Sequence, residues 1–230
     1  MKTPEKIFID CGANRGQGLL HFDEQLGGIL GNPLWKVYSF EPNPFCSLTF
    51  IKDAKGTDSF DNLTFEHKAV WTHSGEIPLY GVDANYKDSD PHKYSEAAFL
   101  GIETEHGKEF WEYNGGHPEL AQDIEGYSPP GTPMKAQALD FPKFLTSLRN
   151  TLPAASVYIK MDIEHSEYPV LDALLAQPSS LSMVKKMWIE FHSTRDNAED
   201  RDVGPAVNTH RVKDLLKGLK ALDIDAKCWG

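Results

Sequence analysis

The sequence predicts an α/β fold, a mostly parallel central sheet with helices on both faces. Three observations lead there. Short apolar runs alternate with stretches of helical periodicity, as in strands joined by helical crossovers. Four of those runs end in polar groups, as strands do when they deliver side chains to one edge of an open sheet. The 230 residues are 40% hydrophobic and 25% charged, an ordinary globular mixture long enough for one core. We therefore expect residues 1–230 to form a single domain.

The elements follow in order. "KIFID" is a buried strand closed by an acid and the glycine-rich "CGANRGQG". Leu19, Leu20, Phe22, Leu26, Ile29 and Leu30 then recur at roughly helical spacing, weakened late by Gly27, Gly28 and Gly31. "WKVYSFEPNP" is a second buried strand that reaches Glu41 and is turned by its prolines. "NLTFEHKAVW" reads as a third strand and "SGEIPLYGV" as part of a hairpin entered through Ser74-Gly75. From about 83 to 133 clean periodicity disappears while aromatics persist, among them Trp111, Tyr113 and Tyr127. Long irregular segments in compact domains are commonly functional, so we expect an inserted, ordered, substrate-covering segment. "KAQALDFPKFLTSLRN" is an edge strand feeding a short helix capped by Asp140. "SVYIKMDIE" is the clearest central strand, and "SEYPVLDALLAQ" a helix with Ser166 placed to cap it. "VKKMWIEFH" is another strand, and "NTHRVKDLLKGLKALDI" an amphipathic helix with a solvated lysine face.

Composition narrows the partners. Thirty-four acids against 23 lysines and arginines give a net charge of −11. That field opposes a partner held by its phosphates, so we expect no nucleic acid. No apolar run could span a bilayer, and "KTPEKIFID" lacks the long apolar stretch of a signal peptide. Cys11, Cys46 and Cys228 form no CxxC pair, which suits a reducing, cytoplasmic setting. Functional-looking sequence begins within ten residues of the start, which leaves open one domain of a longer polypeptide.

The strand ends carry the chemistry. Asp10 with its loop, Glu41, Asp162 with Glu164, and Glu190 with His192 would converge beyond the carboxyl edge of the sheet. Gly12 and Gly16 let the backbone approach a ligand, and the helix that follows offers unpaired N–H groups. Asp10 suits an ammonium, and Glu41 the two hydroxyls of a ribose. The dinucleotide fingerprint is absent, because Ala13 and Asn14 stand where its second glycine should be. A ligand with a ribose, a base and an amino-acid end fits better: S-adenosylmethionine. An NAD-dependent oxidoreductase is the rival enzyme, and a binding module with a degenerate site the rival outside catalysis.

"DCGANRG", "FEPNP", "AVWTHSGEIPLY", "ALDFPKFL", "IKMDIEHSEYPVL" and "IEFH" resemble, in order and wording, the motifs of FkbM-type methyltransferases. They span most of residues 7–192. The resemblance implies a Rossmann-like class I methyltransferase fold and donor-dependent O-methylation, often of a sugar or polyketide hydroxyl. By that likeness Asp10, Gly12, Ala13, Asn14 and Gly16 hold the methionine end of the donor. Glu41, with Pro42 and Asn43, takes the ribose, and the strand end at Lys68–Val70, with Ala69 and Val70 as its contacts, lies near the adenine. The family commonly has glycine where this chain has His165, so its mechanism does not carry over unaltered.

Methyl transfer to a hydroxyl needs an aligned displacement and removal of a proton. Two mechanisms compete. In one, His165, His192 or Asp162 takes the proton directly, with Glu190 in the same cluster. In the other, Asp162, Glu164 and Glu190 hold Mg²⁺ or another divalent cation that lowers the hydroxyl pKa. Clustered carboxylates call for a cation, and Lys160, on the same side of its strand as Asp162, is the other candidate for that role. The expected acceptor is a sugar or glycan, with a lipid or polyketide hydroxyl as the alternative.

Overall fold

A computed structural model gives the architecture and describes residues 3–80, 99–100, 134–164, 166–192 and 210–229. The chain runs β1 (Lys6–Cys11), α1 (Gln17–Gln25), β2 (Trp35–Phe40), α2 (Thr49–Lys55), β3 (Leu63–Glu66), β4 (Ala69–Trp71) and β5 (Gly75–Tyr80). It continues through β6 (Phe99–Leu100), β7 (Met134–Asp140), α3 (Phe141–Thr151), β8 (Ser156–Met161), α4 (Glu167–Ala176) and a 3₁₀ turn at Pro178–Leu181. β9 (Val184–Ile189), α5 (His210–Ala221) and β10 (Asp225–Cys228) complete it. Apart from β6 at Phe99–Leu100, the expected covering segment at 83–133 lies outside the described residues, as does His165.

Six strands form a wholly parallel sheet in the order β10-β9-β8-β1-β2-β3. Only crossovers can join parallel neighbours, which accounts for the alternation of strands and helices in the sequence. Side-chain alternation along β1 sorts the core into two faces. Phe8 packs with Leu19 and Phe22 of α1 and Ile51 of α2. Ile7, Ile9 and Cys11 face Leu145 and Leu148 of α3, Leu171 and Leu174 of α4, and Val212, Leu215 and Leu219 of α5. The fold is the expected α/β, Rossmann-like class with helices on both faces.

Several elements differ from expectation, each for a local reason. "NLTFEHKAVW" is two strands in two sheets, because Lys68 N–H bonds back to the Glu66 carbonyl (2.9 Å) and turns the chain. β3 closes the large sheet, and β4 joins a second, four-stranded one in the order β4-β7-β5-β6. β7 inserts between β4 and β5, so the Ser74-Gly75 turn does not pair its own flanks, and β7 is an interior strand rather than an edge. Asp140 does cap α3, its Oδ1 accepting from Lys143 N–H at 3.1 Å. Ser166 makes no side-chain cap on α4; the neighbouring Glu167 takes Ile163 N–H instead, at 3.0 Å. α2 and β10 carry too few patterned residues to stand out in the sequence. Among the described residues no helix is long and apolar enough to cross a membrane.

Candidate functional site

The parallel ladder runs one residue past the strands, and this aligns their polar tips. Gly12 and Ala13 N–H donate to the Phe40 carbonyl, Asp162 N–H to Cys11, Glu190 N–H to Met161 and Glu41 N–H to Glu66. Asp10, Glu41, Asp162 and Glu190 therefore stand along one carboxyl edge. That edge centres on β1, whose partners β2 and β8 lie on opposite sides, the switch in strand order where open α/β sheets bind ligands.

On the β1 side, the loop bends through three left-handed residues: Gly12 (φ 80°), Asn14 (φ 48°) and Gly16 (φ 91°). A Cβ on Gly12 would fall 1.6 Å from the Asp162 carbonyl oxygen, and one on Gly16 would fall 2.8 Å from Ile51. The loop is therefore held against β8 and α2 by the absence of side chain: the glycines serve packing within the protein, where the sequence predicts close approach to a ligand. Glu41 is nearly enclosed, its Oε2 accepting from Asn14 N–H and its Oε1 from Asn43 N–H, both at 2.8 Å. Burial pushes its carboxyl up to about 7 against those two bonds. Each oxygen keeps a further lone pair, so the group remains able to accept a hydroxyl. Pro42 is half-buried beside it. Ala69 and Val70 do not end a strand as expected: β3 stops at Glu66, and the two residues open β4 of the second sheet with their side chains in the core.

Lys160 sits beneath the edge, 2% exposed. Its Nζ lies 3.3 Å from Asp10 and 3.1 Å from Asp162, and donates to the Gly12 carbonyl at 2.6 Å. The Trp229 ring covers it, with its centroid 5.3 Å from the ammonium. Burial opposes this charge, but the two carboxylates outweigh it and keep the lysine protonated. The cation that clustered acids require is thus in part the protein's own.

On the β8–β9 side, His192 organises the acids. Its Nδ1 lies 2.8 Å from Glu167 Oε1, and its Nε2 lies 3.2 Å from Glu164 Oε2 and 3.8 Å from Asp162 Oδ1. Burial alone would lower the imidazole, but the hydrogen bond and charge of Glu167, then Glu164 and Asp162, push it up to about 10. Burial pushes Glu164 up to about 8, against the pull of His192. Glu190 is also raised, by burial and then by Asp162. Of the residues expected to hold a metal, Glu164 instead turns its carboxylate to His192. The ligand atoms of Asp162, Glu190 and His192 lie within 4.8 Å of one another, a two-carboxylate, one-imidazole set that fits a divalent ion.

Sequence reasoning missed Glu167. It opens α4 on the same buried stripe as Val170, Leu171 and Leu174, and an acid on an apolar stripe was the available signal.

These shifts all have one sign. Folded Glu41, Glu164 and His192 hold a proton more tightly than unfolded chains, whose ordinary values are 4.5, 4.5 and 6.5. Their stabilisation is complete below those values and is lost as pH rises through about 7, 8 and 10. The thermal midpoint is expected to fall steadily from about pH 5 to pH 10. A midpoint that is flat or rising over that range in calorimetry would contradict these environments.

Compared with known proteins, residues 10–220 match the family model described as the methyltransferase FkbM domain. No curated protein and no solved structure matches the chain.

Proposed function

Because the chain belongs to the FkbM methyltransferase family, we propose that it is an S-adenosylmethionine-dependent O-methyltransferase acting on a hydroxyl of a sugar or glycan. One observation carries the reading: a side-chain-poor loop and a buried acid on β1–β2 meet an acid–imidazole cluster on β8–β9. The donor supplies a methyl carbon on a positively charged sulfur. Gly12, Ala13, Asn14 and Gly16 bind its amino-acid end, supported from beneath by Asp10, which Lys160 and Ser39 already engage, with Glu41, Pro42 and Asn43 at the ribose and the turn before Ala69 and Val70 toward the base. The acidic edge favours a cationic donor and suits an acceptor rich in hydroxyls.

The hydroxyl oxygen gains the methyl carbon, the electron pair of the broken carbon–sulfur bond stays on sulfur, and the hydroxyl proton passes to His192 Nε2. His192 must be neutral to accept it. A donor cation beside the same carboxylates weakens the imidazolium's hold on its proton, the direction this role requires. Asp162, Glu164 and Glu190 hold and orient the acceptor, and His165, next to Glu164 in sequence, is a further candidate for acceptor contact or base. A second reading rests on the 4.8 Å grouping of Asp162, Glu190 and His192: a divalent ion held there would lower the hydroxyl pKa. A nitrogen donor suits Mn²⁺ or Zn²⁺ better than Mg²⁺, and metal analysis of the purified protein separates the two readings.

The test is direct. Labelled donor is incubated with the protein and a panel of monosaccharides, glycans, lipid alcohols and polyketide alcohols, and donor affinity is measured by calorimetry in parallel. Donor binding with transfer to a carbohydrate oxygen is expected. Transfer only to lipids or polyketides would replace the acceptor class, and transfer only to amines, or no donor binding, would refute the proposal.

A further inference from the structure

We propose that Glu167 is a positioning residue for the methyl-transfer reaction: it clamps the His192 ring by Nδ1 and commits Nε2 to the acceptor's proton. This rests on the reading of His192 given above.

Four features support it. Glu167 is fully buried, so its carboxylate does not serve the surface. Its Oε1 is fixed from both sides, accepting Ile163 N–H at 3.0 Å while lying 2.8 Å from His192 Nδ1. With Oε1 an acceptor, Nδ1 carries the hydrogen, and the opposite nitrogen faces Glu164 and Asp162 at the sheet edge. The backbone of His192 is fastened from the same helix, since the Tyr168 hydroxyl donates to its carbonyl at 2.9 Å. Successive residues of α4 thus pin the ring and the main chain of one histidine in the segment that follows β9.

That is more than a turn cap requires. A carboxylate that only closed the loop after β8 would need Ile163 N–H alone. An acid paired to the far nitrogen of an imidazole is instead the arrangement that holds a general base in one tautomer and orientation, and neutral replacements of such acids lose orders of magnitude in turnover. Other charges near the ring are Asp162, Glu164 and Glu190, with Lys160 beyond Asp162.

The experiment compares Glu167→Gln, Glu167→Ala and His192→Asn with the wild type in the full chain, reading turnover, acceptor KM and donor Kd. Proton NMR is read for the low-field signal of an imidazole N–H bonded to a buried carboxylate. Glu167→Gln is expected to lower kcat about 10²–10⁴-fold, with KM and donor Kd within about threefold. The low-field signal should vanish in Glu167→Gln and His192→Asn alike. A kcat within about threefold of wild type in Glu167→Gln, while His192→Asn is inactive, would overturn the inference and leave Glu167 a cap. Full activity in His192→Asn would instead overturn the reading of His192 itself. Should Glu167→Ala not fold, the isosteric glutamine variant and its spectrum decide. A wild type that methylates no acceptor but loses its low-field signal in Glu167→Gln would uphold the clamp and refute the proposed reaction.

Discussion

Lys160→Met is expected to lose about 3–5 kcal/mol of folding stability, the largest effect of any side-chain truncation at this site. The reason lies in what the ammonium leaves behind. Asp10 and Asp162 flank it at 3.3 and 3.1 Å, and the Gly12 carbonyl accepts from it at 2.6 Å. Asp10 is fully buried. Methionine fills much of the volume and supplies none of the charge, so a buried carboxylate loses its counterion and a buried carbonyl its donor. Urea unfolding measures this directly. Asp10→Asn added to Lys160→Met should recover a sizeable part, since it removes the stranded charge. A single variant within about 1 kcal/mol of wild type would mean that Lys160 does not hold the edge together.

Much of this arrangement was legible in the sequence. A period-two argument places Lys160 and Asp162 on the same side of β8, and the structure brings them into contact. Acids that close apolar runs do line up, because parallel strands in register end together: Asp10 pairs with Ser39 on one side and Lys160 on the other. What could not be read depends on contacts between elements distant in the chain. No local pattern shows that β7 enters between β4 and β5, since the partner strand is supplied by residues more than fifty positions away. Glu164 was grouped with Asp162 by alternation, but β8 ends at Met161 and the chain then turns, with Glu164 at φ 48°. Periodicity stops where the strand stops. Glu167 was passed over for the opposite reason: its helix was recognised correctly, and helix membership hid the contact with His192, 25 residues on.

Gly12→Ala is expected to abolish donor binding and to cost at least as much stability as Lys160→Met, for a steric reason that a matched control isolates. Gly12 and Gly56 share a left-handed backbone, φ 80° and 75°. An alanine at Gly56, where a Cβ meets nothing within 4 Å, should show only the conformational penalty, about 1–2 kcal/mol. At Gly12 the same methyl would lie 1.6 Å from the Asp162 carbonyl oxygen and 2.8 Å from its carbon. Both are backbone atoms and cannot rotate aside. The Asp162 amide is bonded to Cys11 at 3.0 Å and the Gly12 amide to Phe40 at 3.0 Å, so relief requires prising β8 from β1 at the switch point. That movement would also pull the Gly12 carbonyl from Lys160 and displace Asn14, whose amide holds Glu41. One methyl group therefore acts on both halves of the site. Thermal unfolding and donor calorimetry on the two alanine variants check this. If Gly12→Ala behaves like Gly56→Ala in both, the loop is an ordinary turn, and the close packing of β1 against β8 does not shape the proposed donor site.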